Sequence, residues 1–571
     1  MRIERHQVAA ATVAAARDDF ANRIAGMVHS MSRAGRMTDH EWNLISHEFL
    51  DYLGALSVDT PRLDTPEAKA ALADATEAAA GAVAYAAYHP VASFQVFLTY
   101  VNFGMSYDRE PEGEQTSVTA GRWLDAFCLA VLTGKAEYHG EAFHFARQAS
   151  QQNRAGQPDV ELINGLMAYV IGDTGDDDAD CPPSAEQQLA AIDAALARVR
   201  AADGARPHSV ALRALRALAA EDRETFRTEL ADLLLPLSTT PVGARPRTLL
   251  PLLPIALACL AYHKHGWTPP VDTGYLPRAL VTRFETQGPR VREYGRHRRP
   301  DAVAELAAGP VTVTRPRHPR PPHPESELLF EEDTREAIAP GDSPQAWRLW
   351  HAVEDQDCLF QSRASVSADV TDQQRRNLRL ASQLGAAVFR SALAEPGTGV
   401  KVTVDDHTFT MPASDSPGPA PWHAAMNHAL ITGVREDLAP VVVAGAAALR
   451  DDTSAFASYR RALHDYLRGV DPEPATDRAL RDLDKVRDWG FLPPPAVLLS
   501  QLVEGDEESF NLALLDALEE HRDHYSVAGR ADDLGAAINL DILALTCHAH
   551  RRGWTIRVLS PYLPARLLQR G

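Results

Sequence analysis

Residues 214–234 read ALRALAAEDRETFRTELADLL, and residues 498–518 read LLSQLVEGDEESFNLALLDAL. Leu218 falls on Leu502, Asp222 on Asp506 and Phe226 on Phe510. In each stretch apolar residues at helical spacing run up to a break. An aspartate follows that can accept from the free N–H groups of a new helix. The pattern predicts two helices folded back as an αα-hairpin, with Leu218, Phe226, Leu502 and Phe510 on the inner faces.

The correspondence extends along the chain in both directions. Downstream, His263-Lys264-His265-Gly266-Trp267 aligns with His550-Arg551-Arg552-Gly553-Trp554. Eight residues after each Trp, Tyr275-Leu276-Pro277 aligns with Tyr562-Leu563-Pro564. A glycine there suits the left-handed position that ends a helix, and the Trp after it packs back on the last turn. Upstream, WLDAFCLAVLTGKAE from Trp123 matches WHAAMNHALITGVRE from Trp422, and GAVAY at 81–85 matches GAAVF at 385–389. The order is the same twice: long helix, β-hairpin, then a run of helix pairs. One gene duplication accounts for it.

The expected fold is therefore mainly α: two duplicated, helical-repeat-like domains of αα-hairpins, each with a small β-hairpin. The expected domains are 1–287 and 341–571, the second a duplicate of the first. A Pro/Arg-rich connector, 288–340, lies between them. It holds GPRVREYGRHRRP and TRPRHPRPPHP, whose proline and arginine resist helix and supply no core. Its basic charge lacks the aromatic interleaving and docking fold of a nucleic-acid site.

Local signals fill in the elements. Phe20, Ile24, Met27, Val28 and Met31 lie on one helical face, with a stop at Gly35. Thr38 and Glu41 have capping-box spacing, and Thr65 before Pro66 starts a helix running to about Tyr88. Further starts fall at Ser184, Ser343 and Thr371. Val400, Val402 and Val404 alternate, Asp405, Asp406 and His407 turn the chain, and Phe409 and Met411 alternate again, which reads as a hairpin. Phe94 to Met105 is a second hairpin candidate.

Composition sets the bounds. The 571 residues are 45% hydrophobic, enough for several cores, and the net charge of -20 disfavours broad binding to nucleic acid or anionic membrane. Only Lys69, Lys135, Lys264, Lys401 and Lys485 are lysines, a codon bias expected of a high-GC bacterial genome. Cys128, Cys181, Cys259, Cys358 and Cys547 are scattered and odd in number, which points to free thiols in a reducing cytoplasm. The N-terminus lacks a signal-peptide core. The longest apolar run, 249–262, is too short to span a bilayer and contains Pro251 and Pro254.

No P-loop, G-x-S-x-G, G-x-G-x-x-G or H-E-x-x-H appears. His40-Glu41 lacks the second histidine, and His139 and His144 around Glu141 are five apart, off a shared helix face. His263 with His265, and His548 with His550, diverge on a helix, and His521 with His524 has no third ligand at metal spacing. Residues 172–180, GDTGDDDAD, fit no EF-hand register and read as a solvated loop. The expectation is therefore no catalytic residue, no cofactor-binding residue and no metal site. Stacked αα-hairpins without such a site are generally interaction surfaces.

Several segments resemble the immunity 49 family of bacterial polymorphic-toxin systems. They are HSMSRAGRMTDHEW, DYLGALSV, YVNFGMS, DAFCLAVL, EAFHFAR, ELINGLMAYVIGDTGDDD, LRGVDPEPAT and, most specifically, LLSQLVEGDEESFNLALLDALEEHRDHY. The resemblance implies a non-enzymatic immunity protein that binds and neutralises a cognate toxin domain in the producing cell. It brings no catalytic residues and implies no cofactor. A helical-repeat scaffold or regulator unrelated to toxins is the alternative.

Overall fold

The computed structural model describes residues 1–35, 37–110, 112–114, 116–151, 154–175, 182–316, 323–339, 344–367, 369–488 and 491–569. Helix accounts for 63% of it, in 24 helices among the described residues, and the strand pairs are all small. The chain forms two compact units, Met1–Thr286 and Gln287–Gly571.

In the first unit, helix Asp39–Asp59 lies along helix Pro66–Tyr88. Strands Phe94–Leu98 and Phe103–Tyr107 follow, then helices from Ala120–Thr133 to Leu252–His265. In the second, helices Ala346–Val366 and Asp372–Ala392 pair, strands Gly399–Val404 and His407–Pro412 follow, and helices run from Pro419–Thr432 to Leu540–Arg551. The starts obey local chemistry. Thr38 with Glu41, Ser184 with Gln187 and Thr371 with Gln374 each close a capping box, and Thr65 caps the helix that opens with Pro66. The start expected at Ser343 lies outside the described residues; that helix begins at Ala346, after Gln345.

The two hairpins solve the same turn differently. Asp405 takes a left-handed φ of 51° in the two-residue turn of the second unit. In the first, the Asp74 carboxylate accepts from Thr99 and Tyr100 N–H at 3.0 and 2.9 Å and fixes a longer turn.

The αα-hairpins form where the repeated pattern puts them. Helix Pro207–Ala219 packs on Arg223–Leu234, and helix Ala496–Glu504 on Glu507–Tyr525. The chain breaks through a left-handed residue, Glu221 at φ 57° and Gly505 at φ 83°. Asp222 then accepts from Thr225 N–H and Asp506 from Ser509 N–H, both at 3.1 Å. Leu218, Phe226, Leu502 and Phe510 are at most 1% exposed. Phe226 lies 5.8 Å from Trp267 and Phe510 5.4 Å from Trp554, ring to ring. Trp123 and Trp422 are fully buried, and their indoles donate to the carbonyls of Phe143 and Val441 at 3.1 and 2.8 Å.

One feature recurs beyond the reach of the sequence correspondence. Strand Arg2–Ile3 pairs in parallel with Asp272–Thr273, and Val311–Thr312 pairs in parallel with Val558–Leu559. Each unit therefore ties its opening strand to the segment just before its Tyr-Leu-Pro.

The described residues of the stretch expected as a connector are packed into the second unit. It contributes helices Pro300–Ala308 and Pro324–Ala337, and Val291, Ala302, Leu306 and Val313 join that unit's core. Two features overcome its composition. Its apolar residues recur often enough to dock, and its arginines find acids: Arg290 binds Asp516 and Glu519 at 2.8 and 2.6 Å, and Arg298 binds Asp506 and Glu508. The first helix begins at Pro300, where the missing N–H costs nothing.

Candidate interaction surface

Most titratable groups that sequence reading singles out are engaged in holding the fold. Glu41 accepts from the Thr38 amide and hydroxyl, so it is part of a helix cap. His139 sits 3.6 Å from Glu77, while His144 sits 2.7 Å from Asp173, so the two rings part. Asp173 also pairs with Arg147 at 2.8 Å; Asp176 to Asp180 lie outside the described residues. His265 stacks on Trp267, His548 meets the Tyr466 hydroxyl at 3.1 Å, His521 lies against Tyr525 and Tyr562, and His524 lies beside Arg530. His263 lies near Arg283 and Glu285, and His550 lines the two largest cavities named below. No group of three or more His, Cys, Asp or Glu among the described residues has the arrangement of a metal site. Cys128, Cys259 and Cys547 are buried free thiols, Cys358 is half-buried, and Cys181 lies outside the described residues.

Sequence reading did not single out His423 and Asp541, which meet at 2.8 Å in the second unit, with Asn427 donating to the same carboxylate at 2.6 Å. Burial works to raise the Asp541 carboxyl, but His423 and Asn427 outweigh it and hold it below the usual range. The trio fastens helix Leu540–Arg551 to helix Pro419–Thr432. A cavity of about 510 Å³ is lined by Arg375, Arg379, Arg551 and Arg566. Its cations are largely committed: Arg375 and Arg566 share Asp372 at 2.6 and 2.7 Å, and Arg551 donates to the Leu430 and Ile431 carbonyls that end a helix. A second cavity, of about 500 Å³, has Trp554, Ile556 and Leu563 among its lining.

The surface best suited to another protein is carried by helices Pro324–Ala337 and Ala346–Val366 of the second unit. A buried polar ladder fixes them. Gln356 donates to Thr334 at 2.9 Å, Asn377 donates to Gln356 at 2.7 Å, and Arg363 holds Glu331, Asn377 and Glu327 at 2.7, 2.8 and 3.1 Å. With both helices held, Leu328, Leu329 and Trp347 stand 67%, 54% and 65% exposed. Large side chains that open to solvent on a rigid pair of helices are what an interface core requires. The same two helices border a groove of about 290 Å³, with Glu327, Phe330, Cys358, Asp532, Asp533 and Leu534 among its lining. Burial, reinforced by Asp333 and Glu354, pushes the Asp355 carboxyl up to about 6.

The sequence pattern of immunity protein 49 matches residues 62–280 and 367–567, one stretch in each unit and together most of the chain. The chain belongs to that family. No curated protein and no solved structure matches it. The helices with exposed Leu328, Leu329 and Trp347 lie between the two matched stretches. No helix among the described residues is long and apolar enough to cross a membrane.

Proposed function

We propose that this chain is an immunity protein that neutralises a cognate toxin domain by stoichiometric binding, without catalysis, in the cytoplasm of the bacterium that makes both. Membership of the immunity protein 49 family across both units carries this reading. Two further observations support it. The rigid helical pair with exposed Leu328, Leu329 and Trp347 lies outside the family's shared pattern, where a surface selective for one partner belongs. The net charge of -20 steers the chain toward a basic partner, as a nuclease domain is.

We further infer that the two units descend from one duplicated domain. The support is the repeated order of elements, the paired Phe–Trp contacts and the closing strand pair found in each.

The experiment is to co-express the chain with the toxin domain encoded beside it and titrate the purified pair. Protection that saturates near a fixed molar ratio supports binding. Protection by a catalytic trace, with the toxin or its product chemically altered, replaces inhibition by an enzymatic reading. No protection and no complex leave a helical scaffold.

A further inference from the structure

We propose that the αα-hairpin 207–234 of the first unit receives an arginine-bearing, extended segment of the toxin, in the way the second unit's hairpin holds residues 290–298 of its own chain. This inference rests on the reading under Proposed function and assigns a contact site to it, additional to the exposed pair of helices in the second unit.

The second unit supplies the template. Residues 290–298 lie along the hairpin of helices Ala496–Glu504 and Glu507–Tyr525. Arg290 pairs with Asp516 and Glu519, and Arg298 with Asp506 and Glu508. Between these anchors the Tyr294 and Gly295 amides donate to Ser500 and Gln501 at 3.2 and 2.8 Å, and the Gln501 side chain donates to the Arg292 carbonyl at 3.0 Å. With this segment and helix Pro300–Ala308 in place, Ser509, Leu512 and Ala513 are at most 2% exposed, and Asp506, Glu508, Asp516 and Glu519 are half-buried.

The first unit keeps the anchors and lacks the segment. In the register that sets Leu218 on Leu502 and Phe226 on Phe510, Asp222, Glu224 and Asp232 fall on Asp506, Glu508 and Asp516. Strand Arg2–Ile3 stands where Val311–Thr312 stands, and the arginine segment lies ahead of Val311, so residues 2–286 hold no counterpart of it. The face is accordingly open. Asp222, Glu224, Thr225, Thr228 and Asp232 are exposed, and Leu235, in the place of Glu519, is 43% exposed. Capping alone accounts for Asp222, which opens its helix. It does not account for Asp232, which lies near the other end of that helix and pairs with no cation among the described residues.

The neighbouring cations leave the place free. Arg216, at the position of Ser500, pairs with Asp193 at 3.0 Å and acts on Asp222 only through its field. Arg223 and Arg227 fall on Glu507 and Asn511, and in the second unit those two bind Thr555 and Arg557 and not the arginine segment. Arg227 reaches Glu224 only at 3.9 Å. The middle of the site differs: Ala217 replaces Gln501, so its bonds to the backbone are lost. The face therefore suits two cations spaced as Arg290 and Arg298 are, one between Asp222 and Glu224, the other at Asp232 with its alkyl stem on Leu235.

The probe is the acetylated and amidated peptide GPRVREYGRHRR, residues 288–299 of the chain itself. The full chain carries Cys181→Ser, Cys358→Ser and Thr228→Cys, and maleimide labelling at position 228 is the local readout. The expected result is labelling slowed by peptide to a plateau. The triple variant Asp222→Asn, Glu224→Gln, Asp232→Asn keeps its helix cap, because asparagine caps as well as aspartate, and loses about tenfold in peptide affinity. The triple variant Asp108→Asn, Glu112→Gln, Glu114→Gln removes the same charge elsewhere in the first unit and loses less than about twofold. Equal losses in the two variants, or labelling indifferent to saturating peptide, overturn the site. The hairpin variant should also capture co-expressed toxin about tenfold more weakly. Unchanged capture overturns the hairpin as the toxin's contact and leaves immunity standing. A chain that passes both peptide tests yet captures no toxin overturns the immunity reading alone, and the hairpin stands as the site for a basic segment of another protein. Self-association that the hairpin variant abolishes gives the face to a second copy and overturns the toxin as its occupant.

Discussion

The Arg5 guanidinium donates to the Ser57 carbonyl at 3.1 Å, near the end of helix Asp39–Asp59. Arg315 does the same to the Ser367 carbonyl at 2.8 Å, at the end of helix Ala346–Val366. Helix C-termini leave carbonyls unpaired and favour positive charge, so each arginine satisfies a carbonyl that its helix leaves open. Replacing either by Met should cost about 2–3 kcal/mol, seen as a lower urea midpoint. Lysine should restore only part, since it lacks the planar fork. Midpoints unmoved by Arg5→Met and Arg315→Met mean that the contacts contribute nothing measurable.

The buried Phe–Trp pairs set a second expectation. Phe226→Ala and Phe510→Ala each empty an inner face of an αα-hairpin, and each should cost about 3–5 kcal/mol by chemical denaturation. A loss below about 1 kcal/mol shows that the hairpin collapses around the gap without penalty.

Glu221 occupies the left-handed position that Gly505 fills in the other unit. A side chain there meets its own backbone, and glycine does not. Glu221→Gly should raise stability by about 0.5–1 kcal/mol, despite the greater freedom glycine has when unfolded. A destabilised variant means the side chain makes a compensating contact.

Three histidines make the fold acid-sensitive. Burial, with Arg247 and Arg122 at His47, Arg530 at His524, and Arg551 and Arg552 at His548, holds each near a pKa of about 4. Their folded pKa values are depressed. Their contribution is therefore complete above about pH 6.5, where neither state holds the proton, and is lost as pH falls toward 4 while the unfolded chain protonates first. The melting temperature should be level from pH 7 upward and drop through that window. His548→Gln should flatten part of the drop; an identical slope in that variant removes His548 from the account.

Asp355 works in the opposite sense. Its folded pKa of about 6 is raised, so it favours folding only while protonated and disfavours it as pH rises through 6. Asp355→Asn should raise the melting temperature at pH 7.5, with the difference closing below about pH 4. A variant that loses stability at pH 7.5 contradicts the crowding of Asp333, Glu354 and Asp355.

Much of the fold was legible in the sequence because much of it is local. Capping boxes at Thr38, Ser184 and Thr371, the helix from Pro66 to Tyr88, the hairpin turned at Asp405, and the breaks before Asp222 and Asp506 depend on residues within a few positions of one another. The repeated pattern added the inward faces of Phe226 and Phe510, since the two aligned stretches keep the same positions apolar. Tertiary structure alone decided the rest. Composition reads 288–340 as a connector, and only the placement of Asp516, Glu519 and the core around Phe510 makes Arg290 to Val313 part of the second unit. The strand pairs that close each unit join residues about 250 or more positions apart in sequence, too short to leave a pattern. The groove is beyond reach for the same reason. Exposure of Trp347 and crowding of Asp355 by Asp333 are relations between helices, and the Asp533 wall comes from elsewhere in the chain. Hydrophobic periodicity tells which residues leave water; which charges are forced together is set by the packing that follows.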